Sequence, residues 1–166
     1  MRLITERMEL RPLPAAAANV LPQGRKEAGR ILGAALHLDW PQADLLDVLP
    51  IQASASLSDQ RFGIWVMIER ESGSVVGDIG FIGPPSNVGS IEIGYSVVPD
   101  RRRRGYATEA ARAIVDWALQ ESEVKVVVAS CDNDNEPSIR ILERIGFLRA
   151  DEADGQIRWR YGGQPE

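Results

Sequence analysis

The stretch from Ile91 to Leu119, IEIGYSVVPDRRRRGYATEAARAIVDWAL, constrains the fold most, because a strand, a tight basic turn and a helix follow one another in it without a break. Ile91, Ile93 and Tyr95 alternate with Glu92, Gly94 and Ser96, the period-two pattern of a strand over Ile91 to Val98 that Pro99 and Asp100 end. Beyond the turn, Ala107, Ala110, Ala111, Ile114, Val115, Ala118 and Leu119 recur at the spacing of one apolar helix face. The turn is therefore short and aimed at a helix N-terminus, where unpaired N–H groups and a partial positive charge receive phosphate oxygens. Gly105 and Ala107 keep side chains small where a ligand would approach the backbone, and Arg102, Arg103 and Arg104 add cationic charge. Alone, the arginine run also reads as a solvated basic turn.

The chain of 166 residues is long enough for one compact domain with a sizeable core and short for two, so a single domain over 1–166 is expected. A net charge of -5 argues against a general nucleic-acid binder, which needs a basic surface to displace counterions. A run of arginines in an acidic chain points instead to a local anion site. The one cysteine, Cys131, rules out an internal disulfide framework and a cysteine-based zinc site. Glu6, Arg7, Glu9 and Arg11 interrupt the apolar N-terminal residues, and no later apolar run approaches the ~20 residues of a membrane span, so a cytoplasmic protein without membrane contact is expected.

Along the rest of the chain, Met8 to Leu13 reads as a first strand, the Ala15 to Ala18 run as a short helix ended by Pro22, and Arg25 to Leu38 as a second helix. Pro41 and Asp44 open a further helix through about Leu49, and Ala53 to Gln60 reads as a loop. Phe62 to Ile68 and Val75 to Ile82 form a hairpin about Glu71-Ser72-Gly73-Ser74, leading through a loop at Gly83 to Gly89 into the central strand. The valine-rich segment Val124 to Cys131 reads as a strand covered on both faces, and a ~15-residue helical crossover places it parallel to the central strand. Pro137 suits the first turn of a helix ended by Gly146, and Phe147 to Ala150 with Gln156 to Tyr161 close the sheet as a hairpin.

Arg102-Arg103-Arg104-Gly105-Tyr106-Ala107 fits Gln/Arg-x-x-Gly-x-Gly/Ala and resembles the acyl-CoA signature of the GNAT superfamily of N-acyltransferases. The resemblance continues through Glu92-Ile93-Gly94-Tyr95, Thr108-Glu109-Ala110, Asn135-x-x-Ser138 and Gly146-Phe147, while Thr5 to Leu13 looks like the opening strand of the RimJ/RimL-like branch. It implies a mixed α+β fold: a mostly antiparallel sheet of about seven strands flanked by helices, with a splayed parallel pair at its centre. It further implies acetyl-CoA as co-substrate, an amine acceptor that is a protein N-terminus or a small amine, no metal, and a homodimer as one form relatives take. A backbone N–H near Val97, with Val98 beside it, would hold the pantetheine arm and polarise the thioester, and Arg102 to Thr108, Tyr106 included, would hold the pyrophosphate.

Three polar residues carry the implied chemistry. Glu92 interrupts an apolar strand and is the preferred base for the attacking amine, although a solvated strand carboxylate reads equally well. Many relatives carry a tyrosine four residues before the Gly-Phe pair to assist the departing thiolate, but Leu142 stands there. In the RimL-like branch the serine of Asn-x-x-Ser takes that part, which falls on Ser138; a serine at a helix start also reads as a cap. Tyr95 and Tyr106 are substitutes, and Asn135 reads as a cofactor contact or as a turn residue. His37, the lone histidine, reads as a surface or capping residue, and Trp65 and Phe81 as candidates for the acceptor pocket wall. Leu142 also keeps open a CoA-binding sensor without transfer activity, and the arginine run an RNA-binding reading that salt titration would expose.

Overall fold

The computed structural model describes residues 1–56 and 60–163, so 57–59 of the expected Ala53 to Gln60 loop lie outside the described residues. Nine strands form one sheet: β1 (Leu3–Ile4), β2 (Met8–Pro12), β3 (Ala35–Leu36), β4 (Ile64–Glu69), β5 (Ser74–Phe81), β6 (Ser90–Val97), β7 (Val126–Asp132), β8 (Leu148–Ala153) and β9 (Gln156–Gly162). Five α-helices accompany them among the described residues: α1 (Ala15–Val20), α2 (Arg25–Leu32), α3 (Ala43–Ala53), α4 (Tyr106–Gln120) and α5 (Glu136–Ile145). The strand order is β1-β2-β4-β5-β6-β7-β9-β8, with β3 alongside β5. Only β6–β7 and β3–β5 are parallel. The seven longer strands are those read from the sequence; the two-residue β1 and β3 carry too little pattern to be seen there.

Two differences from the sequence reading have local causes. The helix expected to reach Leu38 stops at Leu32, because Gly33 adopts φ 77° and caps it, freeing Ala35–Leu36 to pair with Ser74 and Val75. In the other direction, α3 continues through Pro50 to Ala53, where propensity alone would stop it. Its last turn is anchored from outside: Gln52 Nε2 donates to the Leu13 carbonyl at 2.8 Å and Oε1 accepts from Ile64 N–H at 3.1 Å.

The sheet divides the helices. Trp117 of α4 packs on Phe62, Trp65 and Phe81 on one face, with ring centroids 5.8, 5.1 and 5.8 Å away. The other face carries Trp40 and the mutually packed α1, α2 and α3. β7 is not covered on both faces as its valines suggested: Val127, Ala129 and Cys131 are buried, whereas Val126 and Val128 are half-buried and Ser130 is exposed. Only the face that carries Val127, Ala129 and Cys131 packs into the core. No described helix is long and apolar enough to cross a membrane.

Candidate active site

Strands β6 and β7 pair through Ser90–Val126, Ile91–Val127 and Glu92–Val128 and then part. β5 stays bonded to β6 as far as Val97, and β9 stays bonded to β7 as far as Asp132, so the sheet opens a cleft between two intact halves. In the β5–β6 ladder Ile82 N–H donates to the Glu92 carbonyl and Val98 N–H to the Val76 carbonyl, both at 2.9 Å. By the alternation of an antiparallel ladder, the N–H and C=O groups of Ile93, Tyr95 and Val97 point the other way, into the cleft. Val97 is thus placed where the sequence reading wanted a donor. Val98 is not, since its N–H is spent on β5 and its carbonyl accepts from Arg101 N–H at 3.0 Å.

The cleft runs toward the basic turn. Arg103 and Gly105 take left-handed conformations, φ 65° and 81°, and Gly105 caps α4 without a side-chain hydrogen bond. The first helical bond is Glu109 N–H to the Gly105 carbonyl at 3.0 Å, which leaves the N–H groups of Tyr106, Ala107 and Thr108 free for a ligand. Of the arginines, Arg102 gives Nε to the Val97 carbonyl at 2.8 Å and reaches Gln42 Oε1 at 3.2 Å. Arg103 and Arg104 are exposed and have no carboxylate partner among the described residues. Arg101, the first of the four consecutive arginines, faces inward.

Two carboxylate clamps, one buried and one half-buried, hold this turn, and neither was legible in the sequence. Glu69 of β4 accepts from Arg101 Nε at 2.9 Å, Tyr106 Oη at 2.6 Å and Ser72 Oγ at 2.7 Å. Burial alone would raise its pKa, but these bonds and the Arg101 charge prevail and hold it at about 2. Glu109 accepts from Thr5 Oγ1 at 2.5 Å, Arg7 N–H at 2.9 Å and Arg7 Nε at 2.8 Å. Arg7 also donates to the Arg104 carbonyl at 2.7 Å and lies 4.5 Å over the Tyr106 ring. The Tyr106 hydroxyl, a substitute candidate for the thiolate, donates to Glu69.

Across the cleft, the Tyr95 phenol lies near the Ser138 hydroxyl and buried Cys131, both of which act on its titration. Burial pushes the Tyr95 phenol above its ordinary value, with the Ser138 bond opposing and the Cys131 neighbour adding to the rise. Asn135 caps α5, its Oδ1 accepting from Ser138 N–H at 3.3 Å. Leu142 is buried in the core, 1% exposed, so the helix position where the resemblance calls for a tyrosine is here a packing position. Glu92 is half-buried on the face that carries Gly94 and Ser96. His37 Nε2 lies 3.0 Å from Asp100, and Nδ1 accepts from Asp39 N–H, which makes it a surface bridge. Trp65 is under α4 and is not among the residues that line the cavity beside α3, whereas Phe81 is.

A cavity of about 420 Å³ opens on the α3 face beside the cleft, walled by Leu45, Val48, Ile51, Phe62, Phe81 and Ile82. Gly94, Tyr95 and Ser96 join it to β6. Its floor contains Asp78, a buried carboxylate opposite Ser96 in the register, whose Oδ2 accepts from Trp40 Nε1 at 3.0 Å. Burial raises the Asp78 pKa to about 6; the Trp40 bond works against the rise and the Asp44 charge with it. The sequence signal was an acid inside an apolar strand, VVGDIGF, the same irregularity that singled out Glu92.

A family model described as an acetyltransferase (GNAT) domain matches residues 7–148. The chain is 28% identical over 162 residues to the uncharacterized N-acetyltransferase YjdG of Bacillus subtilis, covering 96% of each. Its fold matches that of the ribosomal-protein-S5-alanine acetyltransferase from Vibrio fischeri at a TM-score of 0.70 and 16% identity, over 98% of this chain and 96% of that one. It also matches RimL, a ribosomal L7/L12 α-N-protein acetyltransferase in complex with coenzyme A, at a TM-score of 0.64 and 16% identity over 96% of each chain. The chain belongs to the GNAT acetyltransferase family. It is by class an acetyl-CoA-dependent N-acetyltransferase.

Proposed function

We propose that this enzyme transfers the acetyl group of its own bound acetyl-CoA to a primary amine by direct attack on the thioester. The observation that carries the reading is the divergence of β6 from β7 after Glu92–Val128, which leads unpaired strand edges straight to the free N–H groups of the α4 turn. In this reading Arg102, Arg103, Arg104 and the backbone from Gly105 to Thr108 hold the pyrophosphate, Val97 pairs with the pantetheine arm, and Asn135 sets the α5 turn that presents Ser138. A neutral amine nitrogen attacks the carbonyl carbon, and negative charge on the carbonyl oxygen is met by a cleft-facing N–H of β6. Glu92 accepts the nitrogen's proton, through water given its place along the strand. The C–S bond then breaks, the Tyr95 and Ser138 hydroxyls hydrogen-bond the departing thiolate, and the proton taken from nitrogen returns to sulfur through water, so that it leaves as CoA thiol. Such a co-substrate keeps its thiol reduced in the cytoplasm, where the reading places the enzyme.

A second reading, a CoA-binding module without transfer, rests on Leu142 standing where a tyrosine serves in other members. Free-thiol release from acetyl-CoA against an amine panel separates the two. Calorimetric CoA binding is expected in both, amine-dependent thiol release only in the first.

A further inference from the structure

Resting on the N-acetyltransferase reading, we propose that the acceptor is a small primary amine on a compact apolar body, and that Asp78 receives its ammonium group at the floor of the α3 cavity. Four observations converge on this. The walls are apolar: Val48, Ile51 and Ile82, 40%, 73% and 68% exposed, line its mouth, and a folded protein leaves such side chains in contiguous solvent contact where a ligand covers them. The volume of about 420 Å³ suits a molecule of one ring or a short chain.

Among the described residues that line it, the charged groups are few and of one sign. Asp78 has one oxygen engaged by Trp40, and its other oxygen, Oδ1, has no hydrogen-bond donor among the described residues. A carboxylate in an apolar pocket with an unused acceptor is complementary to a cation and rejects a carboxylate. Asp44 of α3 lies on the rim and adds to that field; the β6 residue opposite Asp78 is the uncharged Ser96, and β4 presents Val66. Among the described residues no Lys or Arg lines the cavity, and Arg102 reaches it through Gln42. An amine bearing its own carboxylate or phosphate thus finds no counter-charge here.

Asp78 and the cleft are joined by geometry. Ser96 faces Asp78 across the β5–β6 ladder, and the next residue, Val97, carries the cleft-facing N–H, so an ammonium at Asp78 is delivered beside the scissile carbonyl. Glu92 is four residues from Ser96, about 13 Å along the strand, too far to bind that ammonium directly. The nitrogen arrives as R–NH3+, loses one proton to bulk water by way of Asp78, attacks, and loses a second as the amide forms. The balance is R–NH3+ and acetyl-CoA giving the N-acetyl amine, CoA thiol and one proton.

The test is steady-state thiol release with phenethylamine, hexylamine, spermidine, phenylalanine and a short peptide, alongside acetyl-CoA binding by calorimetry. The two apolar monoamines are expected to show kcat/KM at least tenfold above the others. Asp78→Asn is expected to raise their KM tenfold or more with acetyl-CoA affinity unchanged. Should that variant fail to fold, Val48→Arg at the half-exposed rim serves: it is expected to depress use of the monoamines and improve phenylalanine. Turnover of spermidine or the peptide but not the monoamines, or an unaltered KM in Asp78→Asn, overturns the pocket assignment and leaves the acetyltransferase reading standing. Absence of thiol release with every amine sinks both.

Discussion

At Asp78 function and stability pull in opposite directions. Its folded pKa, about 6, lies above the ordinary 3.8, so the native state favours the neutral acid. The corresponding stabilisation is fully present below the ordinary value and is lost as pH rises through about 6, an effect of up to ~3 kcal/mol. Asp78→Asn keeps an acceptor for Trp40 without the buried charge. In urea unfolding the variant is expected to gain on the wild type as pH goes from 4 to 8, and a pH-independent difference would contradict the buried-charge account. The Tyr95–Ser138 pair makes a separate prediction. Tyr95→Phe keeps the ring but removes the hydroxyl, so kcat should fall on the order of 100-fold while the Kd of CoA hardly changes. A lost CoA affinity instead would make Tyr95 a cofactor-packing residue.

At the level of the elements, the basic turn is held by contacts far away in sequence. Glu69 is on β4 and Glu109 on α4, yet together with Arg101, Tyr106, Thr5 and Arg7 they fix Gly105 between them. Glu69 titrates below its ordinary 4.5, so its contribution is present above that value and is lost as pH falls toward about 2. Glu69→Gln should therefore flatten the acid limb of the stability curve. Arg101 and Arg103 differ in kind although adjacent. Arg101→Ala should lower stability together with CoA affinity, whereas Arg103→Ala should weaken CoA alone, with a reduced salt dependence, as titration calorimetry at two ionic strengths would show. Gly105→Ala sets a Cβ at φ 81° and is expected to cost about 1 kcal/mol in stability.

For the whole molecule, the sequence disclosed whatever is periodic or local. The α4 face, the β6 alternation, Gly146 at φ 109° and the parallel crossover are written in neighbouring residues, and the structure has them. What stayed hidden depends on residues distant in the chain. Nothing near Asp78 announces Trp40, Val98 gives no sign that Val76 claims its N–H, and Arg101 looks identical to its three neighbours until Glu69 is placed beside it. Leu32 closes its helix because Gly33 turns left-handed, a choice secured by the β5 edge that receives Ala35 and Leu36. The candidate cofactor residues were thus largely recognisable by motif, whereas the acceptor floor emerged only with the tertiary fold.

The parting of β6 from β7 has a mechanical side. Between these two halves, the strand-to-strand seam consists of three residue pairs, with α4 spanning the gap above it. A pantetheine chain bonded to the bare edges would act as a tenth strand, stitching the halves into a continuous beam. Occupancy at a hundredfold excess over Kd adds ~2.7 kcal/mol to unfolding by mass action alone. Amide exchange at Tyr95 and Val97 should slow on CoA addition while that of Val98, already tied to Val76, stays as it was.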